Sequence, residues 1–150
     1  MSSLADIQSF LEPKEMAISG VSRNPKKFGR VVFDHLQERG YRLYPVNPNA
    51  DQINGDKCYK DIASLPDHVD RLYIVTPKDQ TAKALEEAAR KGIKRVWIQQ
   101  RSENEEAVRL AEENNINLIY KECLFKFAEP VSGPHAFHRF FSKLFGSFPK

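Results

Sequence analysis

The chain is 150 residues long, the size of one domain that buries a core without help from disulfides or metals. Its composition, 41% hydrophobic and 29% charged, is that of a soluble globular protein, and no apolar run approaches the roughly 18 residues of a membrane span. The formal charge of +3 is interspersed with acid, as in VRLAEENN, which speaks against a nucleic-acid surface and for a local anionic ligand.

The opening MSSLADIQSFLEPKE has no basic leader, apolar core and small-residue cleavage site, so the expected location is the cytoplasm. Leu4, Ile7, Phe10 and Leu11 share one side of a leading helix. MAISGV follows as the first of five apolar runs rich in Ile, Val, Leu and Tyr; the others are YRLYPV, RLYIVT, RVWIQQ and INLIY, and each predicts a strand. Between them lie helical spacings: Val32 with Leu36, then Ala82, Leu85 and Ala88, then Ala107, Leu110 and Ala111. Gly40, Gly92 and Asn115 stand where helix C-caps are expected, and Ser102 with Glu105 predicts a capping box that opens the last helix.

Strands without strict polar alternation, joined by helical crossovers, predict a doubly wound α/β domain: a Rossmann-like parallel sheet of five strands between two helical layers. This unit is expected to run over residues 1–130, followed by an amphipathic extension over 131–150. In that extension Phe137, Phe140, Phe141, Leu144 and Phe145 follow helical spacing, with Arg139 and Lys143 offset. Such a stripe requires cover from the protein's own core, a second copy in a homodimer, a partner protein or, less favoured, a membrane surface.

In a doubly wound sheet the ligand crevice lies beyond the carboxyl ends of the strands. GVSRNPKKFGR, NPNADQ, TPKDQ and QQRSEN fall there. Gly20 lets backbone approach a ligand, Ser22 offers a hydroxyl, and Asn24, Lys26, Lys27 and Arg30 offer donors near a helix start, all suited to phosphate oxygens. Gly20 and Gly29 stand too far apart for a dinucleotide fingerprint, no Gly-Lys-Ser/Thr closes a P-loop, and GVSRN puts Asn24 where a nucleophile elbow needs glycine. The second strand ends in YPVNPN, without the acid that grips both ribose hydroxyls of NAD. Asn47 and Pro48 can flank an adenosine whose ribose bears a phosphate. The expected ligand is therefore coenzyme A, with NADP as the alternative.

These segments, AISGVSRNPKKFGRVVFDHLQERGY, YPVNP, a strand ending in TP, VWIQ and NEEAVRLAEENNINLIYKEC, together resemble the small coenzyme A-binding Rossmann family, which is related to the nucleotide domain of the succinyl-coenzyme A synthetase alpha subunit. The resemblance spans Glu15 to Cys123. It implies that Gly20, Val21, Ser22, Arg23 and Asn24, with Lys27 or Arg30, hold the phosphates, that Asn47 and Pro48 line the adenosine, and that Val75, Thr76 and Pro77 border the pantetheine or adenine. It implies ligand binding without known catalysis, in a sensor or accessory module, since such single domains lack the partner ligase domain and its phosphorylated histidine. A nicotinamide oxidoreductase is the enzymatic alternative, although no Tyr-x-x-x-Lys pair accompanies the fold. A third reading makes the C-terminal extension the active element, docking on a partner or membrane.

The chain departs from the family in two places. Gln100 and Arg101 stand where relatives carry glycine after the Trp-Ile-Gln run, and Leu124 follows Cys123 where relatives carry proline. Cys123, past the last strand, is a candidate to meet a ligand thiol, although a free cysteine is more often a small buried hydrophobe. Cys58 and Cys123 form no zinc or disulfide pattern, His35 and His68 are read as structural, and His135 with His138 lack further ligands, so no metal site is expected.

Overall fold

The computed structural model describes residues 4–124. Helix α1 (Leu4–Leu11) leads into β1 (Glu15–Ser19), α2 (Phe28–Glu38) and β2 (Arg42–Val46); a short hairpin, β3 (Gln52–Ile53) and β4 (Asp56–Lys57), precedes β5 (Arg71–Ile74), α3 (Lys78–Lys91), β6 (Arg95–Gln99), α4 (Glu105–Glu113) and β7 (Asn117–Glu122). The five longer strands form one parallel sheet in the order β2-β1-β5-β6-β7. This is the Rossmann-like doubly wound arrangement expected from the sequence. The chain leaves β1 toward one edge and β5 toward the other, so the topological switch point lies between those two strands.

Residue alternation along the strands divides the core into two layers. Met16, Ile18, Tyr73 and Trp97 face α1 and α2, where Phe10, Val32, Phe33 and Leu36 cover them. Ala17, Leu72, Ile74, Val96 and Ile98 point the other way, under Leu85 and Ala88 of α3 and Ala107 and Ala111 of α4. Both faces of the central strands β1, β5 and β6 are therefore buried, which is why these strands read as continuous apolar runs. Phe10 meets Trp97 edge-on, ring centroids 5.6 Å apart; burying Phe10 contributes about 2–3 kcal/mol and fastens α1 to the sheet. The carbonyl end of α1 is held by two arginines from the strand starts. Arg71 donates to the carbonyls of Phe10 (3.1 Å) and Ser9 (3.2 Å), and Arg95 donates to the Ser9 hydroxyl at 2.6 Å. Leu4, expected on the buried side, is instead 60% exposed.

The helix ends follow the sequence. Gly40, Gly92 and Asn115 all take left-handed backbone (φ 86°, 89° and 55°) after α2, α3 and α4. One helix start does not follow it. Asn104, rather than Ser102, caps α4, its Oδ1 accepting from Ala107 N at 2.8 Å. The Ser102 N–H instead closes a turn onto the Gln99 carbonyl at 2.8 Å, and Ser102 is buried. The β3–β4 hairpin is a further addition to the expected elements; Asn54 and Gly55 form its tip with φ 51° and 82°, the backbone of a two-residue primed turn. It docks on α2, Asn54 Nδ2 donating to Asp34 (2.7 Å) and Gln37 Nε2 donating to Asp56 (2.6 Å).

Among the described residues no helix is long and apolar enough to cross a membrane, and no cluster of histidine, cysteine and carboxylate side chains is placed to hold a metal. The expected boundary at residue 130, the 131–150 extension, His135 and His138 lie outside the described residues.

Candidate functional site

The turn after β1 and the first residues of α2 are pressed together by two glycines. Gly20 leaves the strand with φ 107°, and a Cβ there would stand 2.9 Å from the Val75 carbonyl carbon. A Cβ on Gly29 would overlap the Gly20 carbonyl oxygen. These two residues, nine apart in sequence, are thus in direct backbone contact. They do what the first and last glycines of a dinucleotide fingerprint do, a tight exit from the strand and close helix-on-strand packing, at a different spacing. The intervening loop is shaped by its own side chains: Ser22 Oγ accepts from Asn24 N and Asn24 Oδ1 from Lys26 N, each at 3.0 Å. The N-cap of α2 is Lys27, which makes no side-chain cap, and α3 likewise starts at Pro77 without one.

Arg30 and Asn47 hold this turn from behind. The Arg30 guanidinium donates to the Arg23 carbonyl (2.9 Å), Asp34 (3.0 Å) and Asn54 Oδ1 (2.6 Å), tying loop, helix and hairpin together. Asn47 Nδ2 donates to the Val21 carbonyl at 2.7 Å while its Oδ1 accepts from Asn49 N at 2.8 Å. An aspartate at this position would set a carboxylate against the Val21 carbonyl, two acceptors facing each other, which is the physical reason that no acid ends β2. The buried Cys58 thiol donates to the Asn47 carbonyl at 3.7 Å, and burial pushes its pKa up, so it is an inert part of the same brace.

Across from the glycine wall, the turns after β5 and β6 complete a cleft of about 440 Å³. Gly20, Ser22 and Lys27 line one side, Val75, Thr76 and Pro77 the middle, and Gln99, Gln100, Arg101 and Ser102 the other. Buried Thr76 meets Thr81 hydroxyl to hydroxyl at 2.9 Å, fixing the start of α3. Gln99 is only 5% exposed. Its Oε1 accepts from the Tyr73 hydroxyl (2.7 Å) and from Leu124 N (3.2 Å). Complete burial raises the Tyr73 pKa far above its ordinary value, which keeps the phenol protonated as a donor.

Six of the residues singled out in the sequence, Gly20, Ser22, Lys27, Val75, Thr76 and Pro77, are brought together on the cleft. Val21, Arg23, Asn24, Arg30 and Asn47 form or brace the loop behind it, and Pro48 is exposed just past β2. Cys123 packs in the core at 1% exposure and is not among the cleft residues. Gly29, set aside in the sequence for its distance from Gly20, and Gln99, not singled out there, both line the cleft. The first was visible only as a glycine in the opening turn of a helix, the second as a polar residue ending an apolar strand.

A doubly wound α/β domain with a glycine-walled cleft at its switch point defines the class. Within that class the chain belongs to the CoA binding domain family, whose sequence profile matches residues 14–128. It is 33% identical over 126 residues to the acetate–CoA ligase [ADP-forming] II subunit alpha of Pyrococcus furiosus, an alignment covering 77% of this chain and 28% of the relative. A conserved hypothetical protein from Pyrococcus furiosus superposes with a TM-score of 0.71 at 34% identity, over 73% of this chain and 95% of that one. The dinucleotide forming acetyl-coenzyme A synthetase 1 of Ca. Korarchaeum cryptofilum superposes with a TM-score of 0.64 at 28% identity, over 74% of this chain and 26% of that one. The chain is therefore a CoA-binding domain related to the alpha subunits of ADP-forming acetate–CoA ligases, and it spans only about a quarter of their length: 28% in the Pyrococcus furiosus subunit. Coenzyme A is the cofactor this membership supports.

Proposed function

We propose that the cleft binds coenzyme A, or an acyl-coenzyme A, as a holding module that performs no reaction by itself. The diphosphate lies over the turn from Gly20 to Lys27, where the Gly20–Gly29 contact strips side chains from the backbone and Lys27 supplies a cation. The adenosine extends past Asn47 and Pro48, where no carboxylate repels a ribose phosphate. The pantetheine runs the other way, over Val75, Thr76 and Pro77 toward the β6 turn. Arg30 acts as a brace for the phosphate loop, since its guanidinium is already spent on Arg23, Asp34 and Asn54.

The observation that carries this reading is the backbone contact between Gly20 and Gly29, which sets the start of α2 directly against the strand exit on the cleft and leaves no room for a side chain at either position. The absence of a nucleophile with an adjacent base on the cleft, among the described residues, favours binding over turnover. The likeness to ligase alpha subunits supports a partner protein that uses the held cofactor. Calorimetry with coenzyme A, acetyl-coenzyme A and NADP tests the assignment. Saturable heat with the two coenzyme A species and none with NADP is expected, and heat with NADP alone would overturn it.

A further inference from the structure

The far end of the cleft carries two features that binding of coenzyme A alone leaves unexplained. Arg101 sits third in the turn closed by Ser102 N on the Gln99 carbonyl (2.8 Å), with φ 77°. A turn with that backbone asks for glycine, and an L-residue there costs about 1–2 kcal/mol. The Arg101 N–H donates to Glu103 Oε2 at 2.8 Å, so that carboxylate is engaged by backbone. Among the described residues nothing accepts from the Arg101 guanidinium, in contrast to Arg30, Arg71 and Arg95, and its side chain borders the cleft.

The second feature is Gln99, on the same wall and 95% buried by its 5% exposure. Leu124 N–H fixes which end of its amide is oxygen, because a flipped amide would set two donors together. That leaves Nε2 as a buried donor without an acceptor among the described residues, in a position where an unmade hydrogen bond is costly. A neutral acceptor from a ligand answers Gln99, and an anionic group answers Arg101.

Resting on the coenzyme A reading above, we propose that the β6 turn recognises the acyl group: Gln99 Nε2 donates to the thioester carbonyl and Arg101 pairs with a carboxylate at the free end of the acyl chain. The cleft then selects coenzyme A thioesters of dicarboxylic acids over those of simple fatty acids. Placement agrees with this, because the β6 turn lies on the opposite side of the switch point from the strand end given to the adenosine.

Calorimetry of the full chain with acetyl-, malonyl- and glutaryl-coenzyme A provides the test. At least one dicarboxylic thioester is expected to bind about tenfold more tightly than acetyl-coenzyme A, the size of one charge-assisted pair. Arg101→Gln, checked as folded by its thermal transition, is expected to bring that ratio to one, and Arg101→Lys to restore part of it. Equal affinities in the unaltered protein would overturn the proposal, as would a ratio that survives Arg101→Gln, including one preserved because all three ligands weaken together, the signature of a phosphate contact. Failure of every coenzyme A species to bind would instead sink the cofactor assignment, and the acyl proposal with it.

Discussion

The β1 turn and the β6 turn are opposite walls of one cleft, and they meet its demands by opposite means. At β1 each point of crowding or unusual backbone is given to glycine: Gly20 with φ 107° against Val75, Gly29 against the Gly20 carbonyl. At β6 the position with φ 77° carries an arginine, and the wall behind it is a buried polar network built on Gln99. One wall removes side chains so that backbone can pack on backbone. The other presents side chains at a conformational cost. The first is suited to the part of a cofactor that never varies and the second to a part that does.

Four single substitutions and one double variant break or sharpen this contrast. Gly29→Ala attacks the first wall directly, since its methyl overlaps the Gly20 oxygen and α2 must retreat. Urea unfolding should show a loss of about 3 kcal/mol, the upper range for overpacking, and calorimetry a loss of coenzyme A affinity of a hundredfold or more. Gln99→Leu attacks the second wall. It strands the Tyr73 hydroxyl and Leu124 N–H, two buried donors, at about 1–3 kcal/mol each, and should lower the unfolding midpoint clearly. Adding Tyr73→Phe should return part of that loss, because one stranded donor disappears.

Arg30→Ala sharpens the contrast by loosening the first wall without touching its glycines. Hydrogen exchange should quicken in residues 21–27 and in the β3–β4 hairpin, and coenzyme A should bind about tenfold more weakly, the equivalent of about 1.4 kcal/mol. A loss as large as that of Gly29→Ala would instead make Arg30 a direct phosphate ligand. Arg101→Gly is the smallest change and has the opposite sign. Relieving φ 77° should raise stability by about 1 kcal/mol at most, since glycine returns part of the gain as chain entropy. A fall in the thermal midpoint would mean that the arginine supports the fold.

Much of the fold was legible because strands buried on both faces leave continuous apolar runs, and because Gly40, Gly92 and Asn115 mark helix ends by backbone requirement alone. The crevice was legible from topology, before any residue in it was understood. Other features resisted. QQRSEN contains two competent caps, and only the turn onto Gln99 shows that Ser102 is already committed and Asn104 must serve. The Asn54-Gly55 pair is a strong local hairpin signal, but it lies outside the five apolar runs that predict strands. The role of Arg30 draws on partners at positions 23, 34 and 54, and the Gly20–Gly29 contact depends on how α2 approaches the sheet; neither distance is written in local pattern.

The family profile begins at residue 14, after α1 has ended, yet α1 is where Arg71 and Arg95 discharge their donors and where Phe10 covers Trp97. The segment matched by the family profile and the segment that packs as one core therefore have different borders. Trimming the chain to the segment that the profile matches would expose an indole, take the Ser9 hydroxyl from Arg95 and leave Arg71 with Asp70 alone.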